Sequence, residues 1–111
     1  MKGDHLGEFE ELTLLTVLGL GDDAYGVSVQ EKLERNAKRQ ASLGAVYAAL
    51  NRLESKGLLQ SRHGEATAER GGRRKRLFSI TAEGTQRLRT IRKTRDRIWR
   101  LIEADSKIGR G

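Results

Sequence analysis

Apolar positions recur along this chain in blocks whose period changes from one to the next. Glu8 to Leu20 opens on Glu8, Glu10 and Glu11, is apolar nearly all round from Leu12 onward, and closes on Gly19 and Gly21. Acids in a first turn complement the positive end of a helix dipole, so the spacing predicts a first helix here, buried on more than one side. Tyr25, Val29 and Leu33 repeat every fourth position, which predicts a second helix from Ala24 to about Ala37, with Asp22-Asp23 as its N-cap. Gly26 would let that helix pack closely.

A third helix follows a short basic turn at Lys38-Arg39. At roughly 100° per residue, Leu43, Val46, Leu50 and Leu53 share one narrow stripe, while Gly44, Ala45, Ala48, Asn51, Arg52 and Ser55 occupy the other face. The Ser42 hydroxyl can accept a bond from an unpaired N–H of the first turn, and Gly57 can take the left-handed position after the last one. The period then shortens to two. Leu58 to His63 reads as a strand, Gly64 to Gly72 as a polar, glycine-rich loop, and Arg73 to Ile80 as the returning strand, with Phe78 and Ile80 on one face.

No proline interrupts the last segment, Ala82 to about Ala104, which has Thr81 as N-cap and Glu83 in its first turn. Leu88, Ile91, Ile98 and Ile102 keep a 3,4 spacing with Arg95 in the missing slot, a seam that calls for another helix. The expected architecture is mainly α (α+β): a winged helix-turn-helix domain over residues 1–80, a long C-terminal dimerisation helix over 81–104 in the same compact unit, and a disordered tail over 105–111. Three heptads alone are marginal, so a homodimer would use the first helix as well, with Leu12, Leu15, Leu88, Ile91, Arg95, Ile98, Trp99 and Ile102 at the interface.

The 111 residues suit one domain, and the chain contains no cysteine, which removes disulfides and thiolate metal sites. Leu12 to Leu20 is too short for a membrane span, and acids stand where a signal peptide needs positive charge, so a cytoplasmic protein is expected. Net charge is +7, but it is split: −6 over residues 1–34, +13 over residues 35–100 and zero over residues 101–111. Such separation favours a polyanionic partner, and without an apolar anchor nucleic acid is a better fit than a membrane.

No catalytic constellation emerges. Gly19-Leu-Gly21-Asp-Asp-Ala24 fits a dinucleotide-binding glycine pattern, but two aspartates would face the pyrophosphate and the chain is too short for the fold. His5 and His63 lack a second ligand at metal spacing, and the adjacent carboxylates Glu10-Glu11 and Asp22-Asp23 point apart. No cofactor is implied. Stronger chemistry lies in Arg70, Arg73, Arg74, Lys75 and Arg76 around Gly71-Gly72, a loop tip able to follow a phosphate backbone. Directly before it, Asn51 and Arg52 carry the donors that base edges accept, on a helix face otherwise small enough to enter a major groove. Arg87, Arg89, Arg92, Lys93, Arg95, Arg97 and Arg100 make the last helix basic, yet its apolar stripe is too narrow for a membrane-surface helix. Double-stranded DNA is therefore the expected partner; a winged-helix module for protein or RNA is the alternative.

The leucines of the first helix, Tyr25-Gly26, Gly44-x-x-Tyr47-x-x-Leu50-x-x-Leu53-Glu54-x-x-Gly57-Leu58 and Phe78-Ser79-Ile80-Thr81-x-Glu83-Gly84 together resemble PadR-type transcriptional regulators over residues 8–102. The Leu53 to Leu58 portion is common to many winged-helix repressors; Tyr25-Gly26, Gly44 to Tyr47 and Thr81 to Gly84 in that order are more specific. The resemblance implies a bacterial dimeric repressor of a palindromic operator. It assigns Ser42, Ala45, Tyr47, Ala48 and Asn51 to the reading helix and Arg73, Arg74 and Arg76 to the wing. Ala48 stands where the family often has proline, and Phe78 where tyrosine is usual. A single C-terminal helix is similar to the small subgroup, some members of which bind planar aromatic compounds beside a tryptophan between subunits. That makes Trp99 and Arg95 candidate contacts for a small aromatic effector.

Overall fold

Each α-helix and strand among the described residues contributes apolar side chains to one core. The computed structural model describes residues 5–64 and 75–105. In chain order it contains α1 (Glu8–Leu20), a short 3-10 turn (Gly21–Asp23), α2 (Gly26–Ala37), α3 (Leu43–Ser55), β1 (Leu59–His63), β2 (Arg76–Ile80) and α4 (Ala82–Ala104). Leu14 and Val17 of α1, Val29 and Leu33 of α2, and Val46, Leu50 and Leu53 of α3 meet Leu58, Leu59 and Phe78 of the hairpin in one buried cluster. This is a winged helix-turn-helix with a long C-terminal helix, as the apolar periodicity predicts.

The caps follow local chemistry. Ser42 Oγ accepts from the Ala45 N–H at 3.0 Å and Thr81 Oγ1 from the Gly84 N–H at 3.0 Å, each satisfying a donor that the first turn leaves unpaired. Gly57 adopts φ +79°, the left-handed conformation that lets Leu58 N–H reach back to the Leu53 carbonyl at 3.0 Å. Five residues, 38–42, join α2 to α3, and Gln30 Nε2 donates to the Ala41 carbonyl across that turn at 2.9 Å.

The start of α2 differs from the sequence expectation. Asp22 and Asp23 lie in the 3-10 turn, and the N-cap is Tyr25, whose N–H donates to Ser28 Oγ at 2.9 Å. The cause is tertiary. Ala24 is buried and its carbonyl accepts from the Phe78 N–H at 2.8 Å, so this stretch is held extended beside β2 and cannot wind into the helix. Ser28 Oγ then donates to the Asp23 carbonyl at 2.6 Å and locks the corner.

The hairpin is antiparallel with Leu59 opposite Ile80, Ser61 opposite Phe78 and His63 opposite Arg76. Strand β2 begins at Arg76, and Lys75 extends the pairing only through its carbonyl, which accepts from the Gly64 N–H at 2.7 Å. Gly84 sits so close to the Leu58 carbonyl and Ile80 that an added Cβ would collide with both, which seats the first turn of α4 on the hairpin. Helix α4 is 23 residues, about 35 Å at 1.5 Å per residue, and beyond Ile91 only Ile102 is more than marginally covered. Its second half projects from the core.

Candidate nucleic-acid interface

Ser42, Gly44, Ala45, Ala48, Asn51 and Ser55 are all exposed along one side of α3, while Val46, Ala49, Leu50 and Leu53 hold the other side in the core. Leu43, expected in the anchoring stripe, lies at its outer end and is 37% exposed. The exposed side therefore carries little bulk beyond Asn51, which suits close approach of the helix backbone to another surface.

Tyr47, Arg52 and Arg76 of the expected interface are each held by other parts of the protein. Tyr47 is half-buried, its ring lying against Gly26 so closely that a Cβ there would overlap it. Glycine at 26 is thus what lets α2 and α3 cross with a tyrosine between them. Arg52 turns back to α1, with Nε 2.7 Å from Glu10 Oε2, and Lys56 Nζ lies 2.8 Å from Glu10 Oε1 and 2.7 Å from the His5 carbonyl. Burial pushes the Glu10 carboxyl up, but the hydrogen bonds and charges of Lys56 and Arg52 outweigh it and hold the carboxyl below its ordinary range. The main chain at His5 is thereby tied to the end of α3.

Arg76 is the third. Its Nη1 donates to Asn51 Oδ1 at 2.9 Å, its Nη2 pairs with Glu54 Oε1 at 2.5 Å, its Nε meets Ser61 Oγ at 3.3 Å, and its guanidinium lies 4.7 Å from the Phe78 ring centroid. Lys75 Nζ stands 4.1 Å over the Tyr25 ring, at the corner where α2 begins. Arg73 and Arg74 lie outside the described residues, as do Gly71-Gly72 and the tail beyond Asp105.

On the opposite side, Leu15, Ile91, Arg95 and Trp99 come together with Leu18 and Glu11 around a groove of about 500 Å³ between α1 and α4. Arg95 Nη2 pairs with Glu11 Oε1 at 2.9 Å, fastening the two helices. Trp99 and Ile98 are each 52% exposed and Leu101 58%, a row of large apolar side chains on a projecting helix. Leu88 is buried in the protomer's own core and half-buried Leu12 packs against it, which leaves them little surface for a partner. The reason is geometric: the first turns of α4 rest on the body of the domain, and the seam faces outward only after Ile91. Leu18 and Leu101 were not expected at this surface, although each follows Leu15 or Ile98 at helical spacing.

Among the described residues no cluster of His, Cys, Asp or Glu could hold a metal ion, and no helix is long and apolar enough to cross a membrane.

No curated protein matches the chain. Solved structures do. A PadR family transcription regulator from Clostridium difficile R20291 is 22% identical, with 86% of this chain and 96% of that one covered at a TM-score of 0.69. A PadR-like transcription factor from Bacteroides fragilis is 21% identical, covering 86% and 87% at 0.72. Bacillus subtilis PadR in complex with operator DNA is 19% identical, covering 75% of this chain and 46% of that one at 0.60. At such identities these structures speak for the fold alone. The model of the PadR-like family of transcriptional regulators, however, matches residues 14–90, most of the winged-helix body and the root of α4, and the chain belongs to that family.

Proposed function

We propose that this regulator binds operator DNA as a homodimer and acts as a repressor, laying α3 in the major groove of each half-site. The observation that carries the reading is the exposed side of α3, where Ser42, Gly44, Ala45 and Ala48 clear the way for Asn51 to reach a base edge. Lys75 stands at the foot of β2, and it serves the phosphate backbone together with Arg73 and Arg74, its neighbours in sequence. Arg52 contributes to stability through Glu10 in place of a base contact. The fold shared with the operator-bound B. subtilis protein supports this reading.

The dimer is formed by the outward seam of α4, with Ile98, Trp99, Leu101 and Ile102, packed on a second copy's α1 and α4. Two reading helices related by a twofold axis require a palindromic site with half-sites about one helical turn, some 34–36 Å, apart. Trp99 at the edge of the α1–α4 groove, beside Arg92 and Arg95, gives a flat apolar face where a planar aromatic effector stacks between subunits.

The test is selection of duplexes from a random-sequence library, followed by titration of the enriched duplex against its scrambled form. A palindrome with helical-turn spacing is expected. If the dimer neutralises about 6 to 10 phosphates, affinity falls on the order of a thousandfold or more between 50 and 200 mM salt. No enrichment, or a flat salt response, contradicts the reading.

A further inference from the structure

We propose that Arg76 is a positioning residue that fixes the amide of Asn51, so that the reading helix presents a hydrogen-bond donor to the base edge. The proposal rests on the DNA reading above and goes past it: Arg76, expected to touch DNA, acts through Asn51. Arginine has donors only, and three of its nitrogens are taken by Asn51, Glu54 and Ser61, with Phe78 beneath the guanidinium plane. Glu54 offsets its charge, and Glu54 is itself held, because its Oε2 accepts from Ser61 Oγ at 2.7 Å. A guanidinium so committed is a poor phosphate ligand and a good clamp, its planar fork matched to two acceptors on α3 from a strand more than twenty residues away in sequence.

The consequence falls on Asn51. An amide can present either its oxygen or its nitrogen in a given direction, and the two senses read opposite base edges. With Oδ1 accepting from Arg76, the sense is set, and the Nδ2 hydrogens are the group left to face outward. Such a donor pairs with the acceptors of guanine, thymine or adenine in the major groove, and meets the amine of cytosine donor to donor. Arg76 thereby lends sequence preference to a residue on another element, and β2 registers the wing against the reading helix through the same side chain.

The experiment uses the whole chain and a duplex enriched from a random library, and compares Arg76→Lys, Arg76→Ala, Asn51→Ala and the double variant Arg76→Lys/Asn51→Ala. Arg76→Lys keeps charge and stem but loses the fork. It is expected to lower the preference for enriched over scrambled duplex by about the factor that Asn51→Ala does, on the order of tenfold. The double variant should be no worse than either single one, and the salt slope should stay unchanged. A slope reduced by about one phosphate with preference intact makes Arg76 a backbone contact and overturns the proposal, as does simple additivity. In the free protein, the side-chain amide of Asn51 should lose order in Arg76→Lys by nuclear magnetic relaxation; an unchanged amide also overturns it. If no duplex is enriched, the DNA reading fails, and the amide measurement still decides whether Arg76 orders Asn51.

Discussion

The Arg52 guanidinium lies 2.7 Å from the Glu10 carboxylate, which turns the most promising base-reading cation of α3 back into the protein. With Lys56 on the other carboxylate oxygen, Glu10 staples the start of α1 to the end of α3. Glu10→Gln should cost about 1–3 kcal/mol, because a nearly buried charged acceptor is lost while Lys56, itself largely covered, remains. Denaturant titration of the variant checks this. Arg52→Ala should cost less, since Arg52 is half exposed, and should leave discrimination between enriched and scrambled duplexes unchanged.

The same carboxylate sets a pH dependence. Because Glu10 is held below its ordinary value in the folded protein, its stabilisation is complete above the unfolded carboxylate value and is lost as pH falls through the lower folded one. Stability followed from neutral pH into the acid range should therefore decline more steeply in the parent protein than in Glu10→Gln. Parallel acid limbs would show that Glu10 sets no part of this dependence.

Gly26 and Tyr47 form a paired constraint. Gly26→Ala places a methyl group in the Tyr47 ring and should destabilise by about 1–3 kcal/mol, as overpacking does. Combining it with Tyr47→Ala should relieve the clash, so that the double variant is more stable than the sum of the single changes predicts. Thermal melts of the four proteins give the answer; strict additivity would mean the ring and α2 do not meet.

If the proposed dimer forms through the outward seam, Ile98→Glu puts a charge in it and should yield a monomer by sedimentation, with loss of operator affinity but little loss of protomer stability, since Ile98 is already half exposed. The single tryptophan provides a second readout. Its emission should shift to the red on dilution below the dimer dissociation constant, and planar aromatics should quench it in the dimer only. A response identical in Ile98→Glu would place the effector within one protomer.

The bounds of α1, α3 and α4 were legible because caps are local: three glutamates before Leu12, Ser42 ahead of Ala45, Thr81 ahead of Gly84. The start of α2 was not, since an acceptor at Ala24 for a β2 amide decides it, and that bond spans 54 positions of sequence that no periodicity links. The side chains of the candidate site divide in the same way. Asn51 stands exposed where its helix period places it, whereas Arg52 and Arg76 look like DNA contacts in any pattern and are claimed by Glu10 and Glu54 only once the chain folds. Leu88 shows the limit of a seam: its 3,4 spacing predicts burial against a helix but does not distinguish the protomer's own core from a second copy's.

The most direct test of α3 as the reading helix is the duplex preference of Asn51→Ala. With Asn51 as the reader, the variant's preference for the enriched duplex over its scrambled form should fall on the order of tenfold. Its salt slope should stay unchanged, and its melting point should fall only slightly, because the Arg76 bond that it loses is exposed. A variant that keeps the parent's full preference for the enriched duplex would contradict the assignment of α3 as the reading helix.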